Sequence, residues 1–154
     1  MVVSKNLFDL SGRVAMVTGA SSGLGVTFCE AFAEAGADLA ICARRSELIQ
    51  NTAEMVRALG SRCMAIRADV TKRDEIDGFV DRVIAEYGKI DILVNNAGIS
   101  LFEAKDATNA DFGAYDAVMK TNLTGSSICS YRVGKEMLAR GYGRIINLSS
   151  ILGI

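Results

Sequence analysis

A glycine-rich segment near the start of the chain constrains the fold more than any other feature. It comprises residues 18–25 (TGASSGLG), follows the apolar run Val14–Val17 and opens a helical pattern. A strand, a glycine turn and a helix in this order place the amides of the first helical turn around a phosphate group. Gly19 would allow the sharp turn, Gly23 a close approach to a pyrophosphate, and Gly25 tight packing of the helix on the strand. A purely steric strand–helix turn is the alternative interpretation.

Short apolar runs alternate with helical patterns along the rest of the chain. The helices end at Gly36, Gly60 and Gly88, and a longer helical region runs from about residue 111 to 140. Thr71, with Asp74 three residues later, predicts a capping box. Because the apolar runs do not alternate with polar residues, they predict an α/β fold, a doubly wound parallel sheet (Rossmann fold). The predicted strands are Val14–Val17, Leu39–Ala43, Cys63–Ile66, Ile92–Val94 and Arg144–Leu148.

Composition limits the function classes open to the chain. Half of its 154 residues are hydrophobic, 23% are charged, and the net charge is −1. We therefore expect a single packed domain over residues 1–154, with no nucleic-acid or membrane partner. The N-terminus lacks a signal peptide and the four cysteines lack Cys-x-x-Cys spacing, so we expect a cytoplasmic protein with reduced thiols. With no histidine in the chain, we expect no metal site.

Three further motifs lie at the carboxyl ends of predicted strands. They are DV at residues 69–70, NNAG at 95–98 and NLSS at 147–150. Together with the glycine-rich segment, these motifs resemble the N-terminal part of the classical short-chain dehydrogenase/reductase family. The resemblance extends from Leu7 to Gly153 and implies a nicotinamide dinucleotide cofactor.

The resemblance also implies positions for the cofactor. Asp69 and Val70 would border the adenine ring, with Asp69 accepting a hydrogen bond from its amino group. Asn95, Ala97 and Gly98 would form the floor beside the adenosine ribose, although a strand-terminating turn also explains the asparagines. The pyrophosphate and ribose would be lined by the glycine-rich residues Gly19, Ser21, Ser22, Gly23, Leu24 and Gly25.

Two residues match catalytic positions of the family. Ser150 would donate a hydrogen bond to the substrate carbonyl oxygen, where negative charge develops as hydride arrives. Asn122 would hold a water in a proton relay, and we expect a local irregularity in the helix around it. The alternatives are a turn or N-cap serine and an exposed helical asparagine.

The end of the second strand bears on the choice of cofactor. A site for NAD usually presents an acid here to the ribose 2′-hydroxyl, but Ala43 occupies the position and Arg44 and Arg45 follow. An arginine pairs with a 2′-phosphate. The sequence therefore predicts NADP(H) rather than NAD. The alternative is that both arginines are solvated residues at the start of the next helix.

The acid–base pair of the family is missing from its expected place. The family carries Tyr-x-x-x-Lys downstream of the serine, and this chain stops at Ile154. Tyr131 and Lys135 have the right spacing but precede Ser150, so we expect a chance match on a helix surface. The chain is then expected to be a fragment, a truncated product or the ordered part of a longer protein. On its own it would be poorly stable, bind cofactor weakly and lack activity.

Two functions from different classes remain. The first is an NADP-dependent oxidoreductase acting on a carbonyl or alcohol substrate, which residues 99–102 would contact. The second is a non-catalytic nucleotide-binding or interaction module; a methyltransferase on a similar sheet is disfavoured, because NNAG and the arginines have no role in that chemistry. We also expect a dimer or tetramer of the complete protein, since apolar residues of the long helical region exceed what one sheet face covers: Phe112, Tyr115, Val118, Met119, Ile128, Val133 and Met137.

Overall fold

The computed structural model describes residues 7–101 and 111–150. Strands and helices alternate from the amino end, as the apolar pattern predicts, until the last helical region, where a π-helical segment lies between two α-helices. In chain order the elements are β1 (Val14–Thr18), α1 (Leu24–Glu34), β2 (Asp38–Ala43), α2 (Ser46–Ala58), β3 (Cys63–Arg67), α3 (Arg73–Tyr87), β4 (Ile92–Asn95), α4 (Phe112–Val118), the π segment (Met119–Gly125), α5 (Ser126–Arg140) and β5 (Arg144–Asn147).

The described strands form one parallel sheet in the order β3-β2-β1-β4-β5. This arrangement confirms the predicted α/β fold with a doubly wound parallel sheet. The strand order reverses at β1, where β2 lies on one side and β4 on the other. The carboxyl ends of β1 and β4 therefore open a crevice at the reversal point, which is where ligands bind in such sheets.

Helices cover the sheet on both faces and give it two apolar layers. Met16 and Leu93 face a layer shared with α3 and α5, whereas Val17 and Ile41 face a layer shared with α1 and α2. All five residues of β1 are buried, which explains why its sequence is apolar without alternation. In contrast, every residue of β5 is exposed, and β5 lies at one edge of the described sheet.

The turn before α3 differs from its expected form. The capping box predicted from Thr71 and Asp74 is wrong, because Lys72 is the N-cap of α3 and no side chain caps that helix. Instead, the Asp69 carboxylate accepts a hydrogen bond of 2.9 Å from the Thr71 amide, and Glu75 accepts one of 2.9 Å from the Asp69 amide. The carboxylate and the amide of Asp69 therefore provide the hydrogen bonds that stabilise the turn before α3.

The apolar residues expected to exceed the capacity of the sheet fall into two groups. Val133 and Met137 are buried in the core, and Ile128 packs against it, so these three serve the fold of the single chain. Phe112, Tyr115 and Met119 are 74%, 59% and 37% exposed, while Val118 is half-buried. Only the exposed group is available to a partner.

The described residues also bear on thiol chemistry, metals and membranes. The four cysteines are buried and unpaired, and burial raises the pKa of Cys29, Cys63 and Cys129 to about 12. No cluster of three or more cysteine, aspartate or glutamate residues within this part of the chain could hold a metal ion. Nor does any helix described here combine the length and the apolar character needed to cross a membrane.

The carboxylate of Asp91 is buried beside the amino ends of β1 and β4 and links elements of the fold there. Asp91 is fully buried and accepts hydrogen bonds from the Val14 amide at 3.0 Å and from Arg140 at 2.9 Å. Lys89 lies 3.1 Å away and Arg13 3.9 Å away. Burial alone would raise the pKa of Asp91, but the bonds from Arg140, Val14 and Lys89 outweigh it and lower the pKa below its usual value. One ionised group thus joins β1, β4 and α5.

We predict that Asp91→Asn lowers the free energy of unfolding by about 2 kcal/mol at pH 7, the value of charge-assisted hydrogen bonds to a buried group. Because folding lowers the pKa of this carboxyl, its contribution is complete above the unfolded pKa of about 3.9 and is lost as the pH falls through the folded pKa. Urea unfolding at a series of pH values measures this, with exposed Glu54→Gln as the control. A difference between wild type and Asp91→Asn that persists unchanged in acid would contradict the assignment.

Candidate functional site

The glycine-rich turn is held where no side chain fits. Gly19 has a φ of 68°, and a Cβ on it would come within 2.7 Å of the Ala97 Cα. A Cβ on Gly25 would overlap the Gly19 carbonyl oxygen and lie 2.7 Å from the Asn96 side-chain nitrogen. Gly23 has open space around it, but its φ of 58° favours glycine. The turn therefore needs glycine for close approach at two positions and for backbone conformation at a third.

Thr18 and Asn96 join the ends of β1 and β4 beneath this turn. The Thr18 hydroxyl accepts hydrogen bonds from the Asn96 amide at 3.1 Å and the Ala97 amide at 3.0 Å. In return, the Asn96 side chain donates to the carbonyl oxygens of Thr18 at 2.9 Å and Gly19 at 3.2 Å. Neither residue was predicted as a site residue. The available signal was Asn96's position immediately beyond β4, which leaves its side chain free to reach the neighbouring turn.

Asn95 contacts other parts of the protein. It is 3% exposed, and its side-chain nitrogen donates to Ser130 on α5 and to Asn147 on β5, both at 2.8 Å. It does not line the cleft described below, although the family resemblance assigns it to a cofactor floor. Its side chain instead joins the carboxyl ends of β4 and β5 to α5.

A cleft of about 520 Å³ opens at the carboxyl ends of β1, β2, β3 and β4. Among the predicted cofactor residues, Gly23, Gly25 and Asn95 do not line it. Sequence reasoning missed three of its residues, Ala68, Asn96 and Thr121. Two further lining residues had been discussed: Ala43 as the position where an NAD site carries an acid, and Ile99 as a substrate contact. The predicted residues that do line it are Gly19, Ser21, Ser22, Leu24, Arg44, Arg45, Asp69, Val70, Ala97 and Gly98.

The mouth of the cleft is positively polarised. The first turn of α1 has no acidic residue and no side-chain cap, so its amides carry the positive end of the helix dipole. Arg45 donates from one nitrogen to the hydroxyls of Ser21 at 2.9 Å and Ser22 at 2.6 Å, which draws its guanidinium over the glycine-rich turn. Exposed Arg44 lines the same cleft, and Ala43 provides no carboxylate at the end of β2. This arrangement favours an anionic group.

Asp69 is the carboxylate of the opposite wall. Partial burial would raise its pKa, but hydrogen bonds from Thr71 and the charges of Arg44 and Lys72 lower the pKa below its usual value. It is therefore ionised at neutral pH and acts as a hydrogen-bond acceptor. Arg44 and Asp69 both line the cleft, and the charge of Arg44 is one of the causes that lower the pKa of Asp69.

The irregularity expected around Asn122 is confirmed. Asn122 lies in the π segment, and its side chain forms two hydrogen bonds of 2.9 Å with the backbone of Ile99, one to the amide and one to the carbonyl oxygen. Its own carbonyl oxygen accepts a hydrogen bond of 2.9 Å from Ser126. The π segment is therefore fixed to the loop after Gly98 through one asparagine. Of the residues expected to contact substrate there, Phe102 lies outside the described residues.

The other predicted catalytic residue and the misplaced pair lie apart from the cleft lining. Ser150 is exposed and follows β5. Tyr131 is exposed on α5, with Lys135 positioned 4.6 Å from the centre of its ring and Arg73 at 5.6 Å. Tyr131 therefore forms cation–π contacts on a helix surface, as expected for a chance match in spacing.

Comparison with known proteins gives a consistent result. A family model described as short chain dehydrogenase matches residues 13–154. The chain is 35% identical to an NAD-dependent glycerol dehydrogenase of Listeria innocua, covering 93% of this chain and 54% of that relative. It thus spans about half the length of the relatives it matches.

Solved structures show the same likeness in three dimensions. An NAD+-bound xylitol dehydrogenase superposes with a TM-score of 0.90 at 31% identity, covering 93% of this chain and 55% of that chain. A metagenomic short-chain oxidoreductase in complex with NADP gives a TM-score of 0.86 at 32% identity, covering 92% of this chain and 64% of that chain. The similar structures therefore include complexes with either nicotinamide cofactor.

We predict that Gly25→Ala lowers the free energy of unfolding by about 2 kcal/mol, the usual cost of overpacking, because its Cβ would overlap the Gly19 carbonyl oxygen. Gly78→Ala on α3 is the matched control: its Cβ meets open space, and alanine favours the helix by about 1 kcal/mol. Denaturant unfolding compares the two variants. Equal stabilities would contradict the close packing of the turn.

We predict that Asn122→Ala speeds hydrogen exchange at the Ile99 amide about fivefold, because the variant loses a hydrogen bond of about 1 kcal/mol. Exchange followed residue by residue measures this effect. Asn51→Ala, an exposed substitution on α2, is the control and should leave the Ile99 amide unchanged. An Ile99 amide that exchanges equally slowly in both variants would show that the bond does not hold this loop.

Proposed function

The chain belongs to the short-chain dehydrogenase family, and from this premise we propose that it forms the NADP(H)-binding part of an oxidoreductase. The reaction would transfer hydride between the nicotinamide and the carbon of a carbonyl or alcohol. The observation that carries the proposal is the cleft itself, with a glycine turn too tight for side chains on one side and two arginines beside it.

The residues present fit a dinucleotide. Gly19 and Gly25 let the turn pack closely against its neighbours beside the cleft, and the uncapped first turn of α1 suits a pyrophosphate. Ionised Asp69 suits the amino group of an adenine, and Val70 offers the ring an apolar contact. When bound, the cofactor supplies or accepts the hydride, while the protein binds and orients it.

The two arginines and the absence of an acid at Ala43 support NADP(H) over NAD. A 2′-phosphate would find Arg44 at the cleft wall and Arg45 held over the turn by Ser21 and Ser22. A charge-assisted hydrogen bond to the phosphate contributes about 1.5–3 kcal/mol. Preorganisation of Arg45 by the serines reduces the entropy lost on binding.

We assign the catalytic contributions of this chain to two residues. The hydroxyl of Ser150 would donate a hydrogen bond to the substrate oxygen and stabilise the charge that develops there. Asn122 would act through the π segment, whose irregular backbone would hold a water of the proton relay. The general acid–base would be a tyrosine of the family's Tyr-x-x-x-Lys pair, a role we do not give to Tyr131 and Lys135.

The competing function is a nucleotide-binding module without turnover. Incubation with NADPH and a panel of aldehydes and ketones distinguishes the two, because only an oxidoreductase consumes NADPH in a substrate-dependent way. We further propose a cytoplasmic protein that forms a dimer or tetramer when complete. Exposed Phe112 and Tyr115 are the surface residues that support the oligomer.

We predict that Arg44→Ala weakens NADPH binding about tenfold or more, as expected from losing one charge-assisted bond, and leaves NADH binding nearly unchanged. Calorimetric titration of the 154-residue chain with each nucleotide measures this. Exposed Arg82→Ala removes the same charge from α3, away from the cleft, and serves as the control. Equal losses for both nucleotides would overturn the NADP(H) assignment, and wild type that binds neither would overturn the proposed function.

A further inference from the structure

Gly125, the last residue of the π segment, packs against the wall of the cleft without room for a side chain. A Cβ at this position would lie 2.7 Å from the Cγ2 of Val70, 3.1 Å from its Cβ and 3.4 Å from its carbonyl oxygen. Gly125 has no left-handed backbone conformation that would require glycine. A glycine is therefore needed at position 125 because a side chain would not fit, and not because of the backbone conformation.

Val70 lies between Gly125 and the cleft. It lines the cleft and is 6% exposed, whereas Gly125 is buried and does not line it. Anything that pushes Val70 away from Gly125 must move the cleft wall. The position of this wall is thus determined by the backbone of the π segment.

We propose that Gly125 is a positioning residue that sets the place of Val70 and thereby the affinity of the cleft for the adenine half of its nucleotide. This inference rests on the proposed function, because it assumes that a dinucleotide occupies the cleft. It adds a residue that touches neither nucleotide nor substrate and acts only through its neighbour.

Val70 cannot yield by a simple side-chain rotation. Valine is β-branched and stiff at χ1, and any rotation leaves its Cβ at 3.1 Å from the new methyl group. The backbone on both sides of Val70 is restrained by hydrogen bonds. The Thr71 amide donates to the Asp69 carboxylate, and the Asp69 amide donates to the Glu75 carboxylate. A methyl group at residue 125 would therefore displace the whole segment 69–71 rather than one side chain.

The π segment contacts the other wall of the cleft as well. Asn122 holds the backbone of Ile99 through two hydrogen bonds, and Thr121 lines the cleft directly. One short π-helical segment thus touches both the loop after β3 and the loop after β4. Both contacts come from this segment, through Asn122 and Gly125, and π-helical turns are rare in helices and concentrated at functional sites.

The test is Gly125→Ala, with binding and stability measured on the 154-residue chain. We expect the dissociation constants of NADPH and of 2′,5′-ADP to rise about tenfold, within the range that overpacking costs. Reduced nicotinamide mononucleotide, which lacks the adenine half, should bind wild type and variant alike. A merely structural role would not separate the adenine-containing ligands from the mononucleotide.

Two further variants complete the test. Gly134→Ala on α5 adds a methyl group in open space and should leave NADPH affinity unchanged. Val70→Ala removes Cγ2, the atom that a Cβ on Gly125 would approach most closely, so Gly125→Ala should cost less affinity in that background than in wild type. The non-additivity would show that Gly125 acts through Val70.

The outcomes separate this inference from the proposed function. If wild type binds NADPH and Gly125→Ala binds both adenine ligands equally well, the inference is overturned while the proposed function stands. Additive losses in the double variant would also overturn it. If wild type binds none of the three ligands, the proposed function fails first, and the inference fails with it.

Discussion

The structure depends on the close approach of two backbone turns at the point where the strand order reverses. Gly19 lies against Ala97, and Gly25 against the Gly19 carbonyl oxygen, with no room for a Cβ at either glycine. The Thr18 and Asn96 hydrogen bonds fix this approach from below. Because the turns meet in this way, the start of α1 faces the cleft and the arginines after β2 can reach over it.

The two edges of the sheet use charge in opposite ways. At the amino edge, the buried carboxylate of Asp91 is surrounded by cationic side chains that satisfy it and tie three elements together. At the carboxyl edge, Arg44 and Arg45 lie at an open cleft, where ionised Asp69 is partly solvated. The charge of Asp91 is therefore paired with cationic side chains of the protein itself, whereas Arg44 and Arg45 remain available to a ligand.

The fold could be predicted from the sequence because its signals are local. Apolar runs, glycine stops and the glycine-rich turn each report on a few neighbouring residues, and β1 and β4 follow directly from them. The cleft was only partly predictable, since Ala68 and Thr121 carry no chemical signature and reach it through the fold. Asn95 shows the converse, because its motif suggested a ligand contact whereas its side chain bonds Ser130 and Asn147. Val133 and Met137 were predicted to exceed what the sheet could cover, because the sheet face that buries them is assembled from strands distant in sequence.

The four buried thiols give the two apolar layers separate reporters. Cys42 and Cys129 belong to the layer beneath α3 and α5, and Cys29 and Cys63 to the layer beneath α1 and α2. An alkylating reagent can reach each sulfur only when its own layer opens, and the high pKa values keep the closed-state reaction slow. Mass spectrometry of the alkylated protein would therefore measure how fast each apolar layer opens, without any introduced cysteine.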